Sequence, residues 1–318
     1  MLCEVVCGAG GVLCHGLESG LGVAGVRTFV CLGSVTDGGL LMGRFKPLEH
    51  ISSWRRIAGA MWSQHNSPQV LGFDDVEMSE VNRLAPLLRE QTGVKVTATH
   101  FAVKVMGTVI ANNPDLNVLM IRGQPMRRTT VDIFVQVAIK SEGSAGGADL
   151  SGIKIKNVDQ KSVVDIAREI AERANRVRTG NDKDLESTKR VLDAVPKPML
   201  GSMLTNLSRL TFDAGMDLTG MGVKPDPFGS AMITNCAGFG VHAGFAPLIP
   251  ISRTPIIFLL GRTDPKPVVR DNEIVIRPVC RHAGTFDHRL LDGYQIGLIC
   301  SEYKVLMEDP EGQGLALI

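Results

Sequence analysis

Thr285-Phe286-Asp287-His288-Arg289-Leu290-Leu291-Asp292-Gly293 lies near the C-terminal end of a 318-residue chain, and the rest of the chain is placed around it. His288-x-x-x-Asp292 sets an imidazole and a carboxylate one helical turn apart, on one face if that turn is helical. Histidine is the side chain whose ordinary pKa lies nearest neutrality, so it can take and return a proton at physiological pH. A β-type run, 273–277, precedes the stretch. A helical pattern follows it, with Ile296, Ile299, Cys300, Tyr303, Leu306 and Met307 at 3.6-residue spacing. The histidine therefore sits where a strand gives way to a helix, a position from which a side chain can face a cleft. By spacing alone the stretch reads more readily as a surface His-Arg-Asp cluster that caps the last helix, because His-x-x-x-Asp is short and common.

Other segments join it. Lys266-Pro267-Val268-Val269-Arg270-Asp271-Asn272-Glu273-Ile274-Val275-Ile276-Arg277-Pro278 reads as two strands joined by a tight Asp271-Asn272 turn. Ile233-Thr234-Asn235 lies in a short strand, 231–235, and 131–139 alternates apolar and polar residues. Together with His288-Arg289-x-x-Asp292-Gly293, 131–139 and Asn157-Val158-Asp159-Gln160-Lys161-Ser162, these segments resemble the catalytic domain of the acyltransferase component of 2-oxo acid dehydrogenase complexes. More distantly they resemble chloramphenicol acetyltransferase. The resemblance runs from about residue 46 to 318.

It implies an α/β fold: a two-layer sandwich with a mixed β-sheet and helices packed on it, chloramphenicol acetyltransferase-like. It implies coenzyme A or acyl-CoA as substrate, a thiol of the dihydrolipoamide type or another nucleophilic acceptor, and no metal. His288 is then the general base. Thr234 stands where the family carries a serine hydroxyl that holds the oxyanion. Asp292 completes the catalytic set, and in this family its carboxylate pairs with an arginine and fixes the loop. Arg56, in Trp54-Arg55-Arg56, is the candidate partner, with Arg55 the alternative; Ala60 stands where relatives carry a second arginine. Asn235, Arg289 and Gly293 are structural support. The family's site lies between subunits, which implies a homotrimer or a multiple of three. Leu315-Ala316-Leu317-Ile318 resembles the apolar tail that joins trimers into larger cores. The resemblance includes no lipoyl domain and no peripheral-subunit-binding domain, so membership of a dehydrogenase complex stays open. The competing expectation is a non-catalytic trimeric core or scaffold subunit of the same fold.

Composition bounds the alternatives. Hydrophobic residues make up 44% and charged residues 21%, enough for a sizeable core. With a net charge of +1 and no basic stripe, nucleic acid is not an expected partner. No run of eighteen apolar residues suggests a membrane span, and no basic stretch precedes an apolar core as in a signal peptide. Seven cysteines without a pairing pattern fit a reducing cytoplasm.

Residues 1–41 differ from the rest, with ten glycines, four cysteines and no lysine. Gly20-Leu21-Gly22-Val23-Ala24-Gly25 matches G-x-G-x-x-G, but lacks the strand before and helix after that a dinucleotide site needs. Cys3, Cys7, Cys14 and His15 lack zinc-type spacing. The segment reads as a flexible extension before a domain at 42–318, and Met42 is a candidate natural start. Within the domain, helices are expected from Ser52 or Ser53 to about His65, at 79–91, after Thr97, and after Ser162 with Val163, Ile166, Ala167, Ile170, Ala174 and Val177 inward. Strands are expected at 70–78, 116–122, 152–157 and 255–261. Residues 181–229 read as an insertion of roughly 35 residues, including a helix that carries Met199, Leu200, Met203, Leu204 and Leu207. His65, His100, His242 and His282 read as structural.

Overall fold

The computed structural model describes residues 68–139, 149–178, 195–221, 223 and 225–318. The extension at 1–41, the helix expected from Ser52 or Ser53, Arg55, Arg56 and His65 lie outside the described residues.

Six strands form one mixed sheet in the order β1-β8-β7-β6-β4-β5. They are β1 (Gln69–Glu77), β4 (Ile133–Ile139), β5 (Asp149–Ile155), β6 (Ala231–Asn235), β7 (Ile256–Arg270) and β8 (Glu273–Asp287). β6 runs parallel to both β4 and β7, and the remaining neighbours are antiparallel. β2 (Val118–Ile121) and β3 (Gln124–Arg127) form a separate hairpin. Among the described residues the helices are α1 (Ser79–Thr92), α2 (Ala98–Asn112), α3 (Val163–Arg178), α4 (Lys197–Ser208) and α5 (Gly293–Glu308). The layered α/β expectation therefore holds.

The period of two sorts the sheet's residues between two cores. Ala231, Ile233, Phe258, Leu260, Cys280 and Phe286 face the large core shared with the helices. Met232 and Ile257 face a smaller one, closed by Leu248 and Ile249. α2 lies deepest, with Phe101, Val105, Met106, Val109 and Ile110 fully buried. Each such side chain stabilises the fold by about 1.5–3 kcal/mol relative to exposure. Its start is a capping box in which Thr97 and His100 bond each other's backbone, so His100 is structural, as expected. Ser162 and Asp165 cap α3 reciprocally, and Val163, Ile166, Ala167, Ile170 and Ala174 of the face read from its spacing are buried.

Several boundaries differ from expectation. α1 runs one residue past the expected 91, with Pro86 inside it. β8 continues ten residues beyond Arg277, to Asp287. The hairpin strand β3 follows a left-handed Arg122-Gly123 turn. Where β7 bulges between Leu260 and Thr263, Gly261 lets the backbone pass the His242 carbonyl, which an added Cβ would meet at 2.0 Å.

α4 buries Leu200 and Leu204 and leaves Met199 exposed, so the expected stripe faces two ways. A π-turn at Arg209–Asp213 follows it. Arg253 fastens this region: its guanidinium bonds both Asp213 oxygens at 2.5 and 2.7 Å and the Met120 carbonyl at 2.9 Å. That pairing holds the Asp213 carboxyl down at about 2. The C-terminal tail lies against its own chain. The Val163 and Val164 amides donate to the Ala316 and Leu317 carbonyls, and Leu315 is buried.

Candidate active site

His288 follows the last residue of β8. It is fixed locally: its amide donates to the Pro68 carbonyl at 2.8 Å, and its ring Nδ1 lies 3.0 Å from the Leu291 carbonyl. A carbonyl oxygen only accepts, so Nδ1 carries the proton of the neutral ring and Nε2 keeps a lone pair. In the single chain the side chain is exposed.

The flanking residues hold the turn. Asp287, buried, receives Arg289 through Nε at 2.9 Å and Nη2 at 2.6 Å, and accepts the Arg289 amide at 3.1 Å. The Asp287 carboxylate raises the Arg289 pKa, against the opposing effect of burial. The Asp287 amide bonds the Pro255 carbonyl at 2.9 Å, tying the turn to the start of β7. Asp287 was not singled out from the sequence. The signal for it was the carboxylate two residues before a guanidinium, on either side of the histidine.

The His288–Asp292 segment is not a helical turn. Asp292 is extended, with φ −96° and ψ −173°, and is the N-cap of α5. Its carboxylate accepts the Tyr294 amide at 2.8 Å, and Gln295 Oε1 accepts the Asp292 amide at 3.0 Å, a capping box. Gly293 opens the helix. Among the described residues, Asp292 serves as the helix cap that the second reading of the stretch anticipated.

Thr234 is on β6, at 8% exposure, facing the smaller core. The register aligns Thr234, Leu259, Ala283 and Phe73 across four strands. Burial raises the pKa of the Cys236 thiol, and the nearby Thr234 hydroxyl offsets part of that rise. Thr234 and Cys236 are two apart, a spacing that puts them on one side of a strand, and the cysteine was not read from sequence. Asn235 points the other way. Its Nδ2 donates to Thr99 Oγ1 at 2.9 Å and its Oδ1 accepts the Ala237 amide at 2.9 Å, holding the end of β6 against the start of α2.

The sheet does not bring His288 and Thr234 together. Thr234 is level with Ala283, two strands away, and His288 lies five residues beyond Ala283, just past the end of β8. At about 3.3 Å per residue and about 4.8 Å per strand, their backbones are roughly 19 Å apart. One carbonyl cannot be served by both groups of a single chain.

Of the remaining histidines, His242 Nδ1 pairs with Asp264 at 2.7 Å on the surface. His282 is fully buried beneath α5. No cluster of histidine, cysteine and carboxylate suited to a metal ion occurs among the described residues. Among them, no helix is long and apolar enough to cross a membrane.

A mixed sheet packed against helices, with a hydrogen-bonded histidine turn at the end of β8, is the setting of the candidate site. The family "2-oxoacid dehydrogenases acyltransferase (catalytic domain)" matches residues 46–189 and 228–315, and the chain belongs to it. Residues 190–227, between the matched segments, include α4. The chain is 24% identical over 269 residues to the dihydrolipoyllysine-residue acetyltransferase component of the pyruvate dehydrogenase complex of Zymomonas mobilis, covering 82% of this chain and 50% of that protein. It is 26% identical over 253 residues to the mitochondrial succinyltransferase component of the 2-oxoglutarate dehydrogenase complex of Saccharomyces cerevisiae, covering 78% and 44%. It thus spans about half the length of these curated relatives. Among solved structures, a probable dihydrolipoamide acetyltransferase from Listeria monocytogenes superposes with a TM-score of 0.60 at 19% identity, covering 86% of this chain and 99% of that one. A truncated catalytic core from Thermoplasma acidophilum gives 0.57 at 20% identity, covering 84% and 99%.

Proposed function

We propose that this chain transfers an acyl group between coenzyme A and a thiol of the dihydrolipoamide type, at sites completed between copies of the chain. The observation that carries the reading is the His288 ring bonded through Nδ1 to the Leu291 carbonyl, which presents Nε2 as a base. Nε2 takes the proton from the acceptor thiol as its sulfur attacks the thioester carbonyl. A carbon–sulfur bond forms, and the carbonyl oxygen becomes an oxyanion that receives the hydroxyl of Thr234 of the partner subunit. Collapse of the intermediate breaks the bond to the coenzyme A sulfur, which leaves with the proton held on Nε2. The family names of the relatives support the reaction class.

The intersubunit placement follows from the separation of Thr234 and His288 within one chain. It is supported by Leu71 and Phe73, which are 53% and 54% exposed on the Thr234 face of the sheet. Apolar residues left exposed at the β1 side of that face, beyond the smaller core, suit a partner subunit. A homotrimer, or a multiple of three, is the assembly we assign, without assigning partners in a dehydrogenase complex. Arg56 remains the proposed partner of Asp292, with Asp292 acting on geometry, since its carboxylate already holds the start of α5.

Incubation with a panel of acyl-CoAs and dihydrolipoamide, following free coenzyme A and acyl-thioester together, tests the reading. Turnover in the parent and its loss in His288→Ala support it. Release at equal rates in both leaves the non-catalytic scaffold.

A further inference from the structure

Beneath α5 the large core contains polar groups that the proposed reaction does not use. His282 is 1% exposed and Tyr303 2%, and their rings meet edge to face at 5.4 Å. Among the described residues, neither ring nitrogen of His282 has a hydrogen-bond partner, and neither does the Tyr303 hydroxyl. An imidazole and a phenol each need at least one acceptor for their proton. Leaving such groups buried and unmade is among the costlier states in a protein.

Both residues line one small cavity of about 10 Å³, whose wall also includes Asp74, Cys300, Gly72, Gly284, Phe73 and Phe258. The register pairs Asp74 directly with His282 across β1 and β8. Gly72 is paired with Gly284 in the same way, and the absence of two side chains in that pair leaves the space. A volume of about 10–15 Å³ by this measure is what a single water requires, provided two to four polar partners surround it.

We propose that this cavity is a binding site for one ordered water that bridges His282 and Tyr303. The water accepts the proton of one group and donates to the other, and its remaining hydrogen turns toward the Asp74 carboxylate. Burial keeps the imidazole neutral there and brings the His282 pKa down to about 3. The cavity wall includes no lysine or arginine, and its size admits nothing larger than water. The water thus joins β8 to α5 through polar bonds in a contact that is otherwise apolar. This inference is independent of the acyl-transfer reading.

Tyr303→Phe removes one oxygen and keeps the ring, so the sign of its effect discriminates. If water bridges the pair, the variant strands the water's bond to His282, and the Tm falls by roughly 2–4 °C. If the hydroxyl is unbonded, its removal relieves a penalty, and an unchanged or raised Tm overturns the proposal. A high-resolution crystal structure of the parent adds a direct reading. A solvent peak within hydrogen-bonding distance of Tyr303 Oη and a His282 ring nitrogen is expected. A cavity without density, or a direct bond between the two side chains, overturns the site.

Discussion

Thr234 and His288 are held in opposite ways. Thr234 is buried, and its position is set by strands far apart in sequence: β4 and β7 beside β6, and β8 and β1 beyond. His288 is exposed, and its position is set mainly by neighbours in sequence, namely Leu291 and the Asp287–Arg289 pair. One half of the proposed site thus belongs to the fold and the other to a local turn. Changes at the turn should alter chemistry and spare stability, whereas changes on the strand should touch both.

The largest effect is expected at the turn. His288→Ala should lower the acyl-transfer rate by about 10²–10⁴. Its Tm should remain near that of the parent, because the ring is exposed. A large fall in Tm would break the contrast.

Thr234→Ala should lower turnover by about 10²–10³ through loss of one oxyanion donor. Thr234→Ser should keep most of the activity, since the hydroxyl is retained. Chemical denaturation of the alanine variant should show a measurable loss of stability that His288→Ala does not.

Acid sharpens the contrast from the other side. His282 is held at about 3 and His100 at about 4 by burial, against an ordinary value of 6.5. Between those values and 6.5 the unfolded chain binds protons that the folded chain refuses, so stability falls as pH falls through that window. Asp74, Cys280, Cys300 and Tyr303 surround His282, and no lysine or arginine lines its cavity. Thermal melts from pH 7 to pH 4 should show this decline, and His282→Leu should flatten it. An equal slope in that variant would assign the decline elsewhere.

The smallest effect is expected at Asp292. Asp292→Ala removes the cap of α5 and should cost about 0.5–2 kcal/mol, read as a shift in denaturation midpoint. If rate falls with no loss of stability, the carboxylate acts on substrate rather than on the turn.

What was legible in the sequence divides along the same line. The His288 turn, the Asp271-Asn272 hairpin, β6 and the amphipathic faces of α3 and α5 carry local signals: a motif, a turn pair, a short apolar run, a 3.6-residue period. The inner half of β8 does not. His282, Ala283 and Gly284 interrupt its alternation, and only the pairings with β1 and β7 make it a strand. β3 was missed because all four residues are exposed and Pro125 lies within it. The spacing of His288 and Asp292 put them on one face only on condition of a helical turn; Asp292 instead caps α5 and lies outside it. Asp287 and Cys236 came to light only with their contacts. The separation of Thr234 from His288 depends on register, which spacing along the chain does not report.

That separation is the central claim, and mixing subunits tests it most directly. His288→Ala and Thr234→Ala chains, each nearly inactive alone, are unfolded together, refolded and assayed for acyl transfer from acyl-CoA to dihydrolipoamide. The account predicts that activity returns in the mixture, because some interfaces unite an intact His288 with an intact Thr234 from the neighbouring copy. If the mixture forms mixed oligomers yet stays as inactive as its components, the two groups do not meet between subunits, and the account is contradicted.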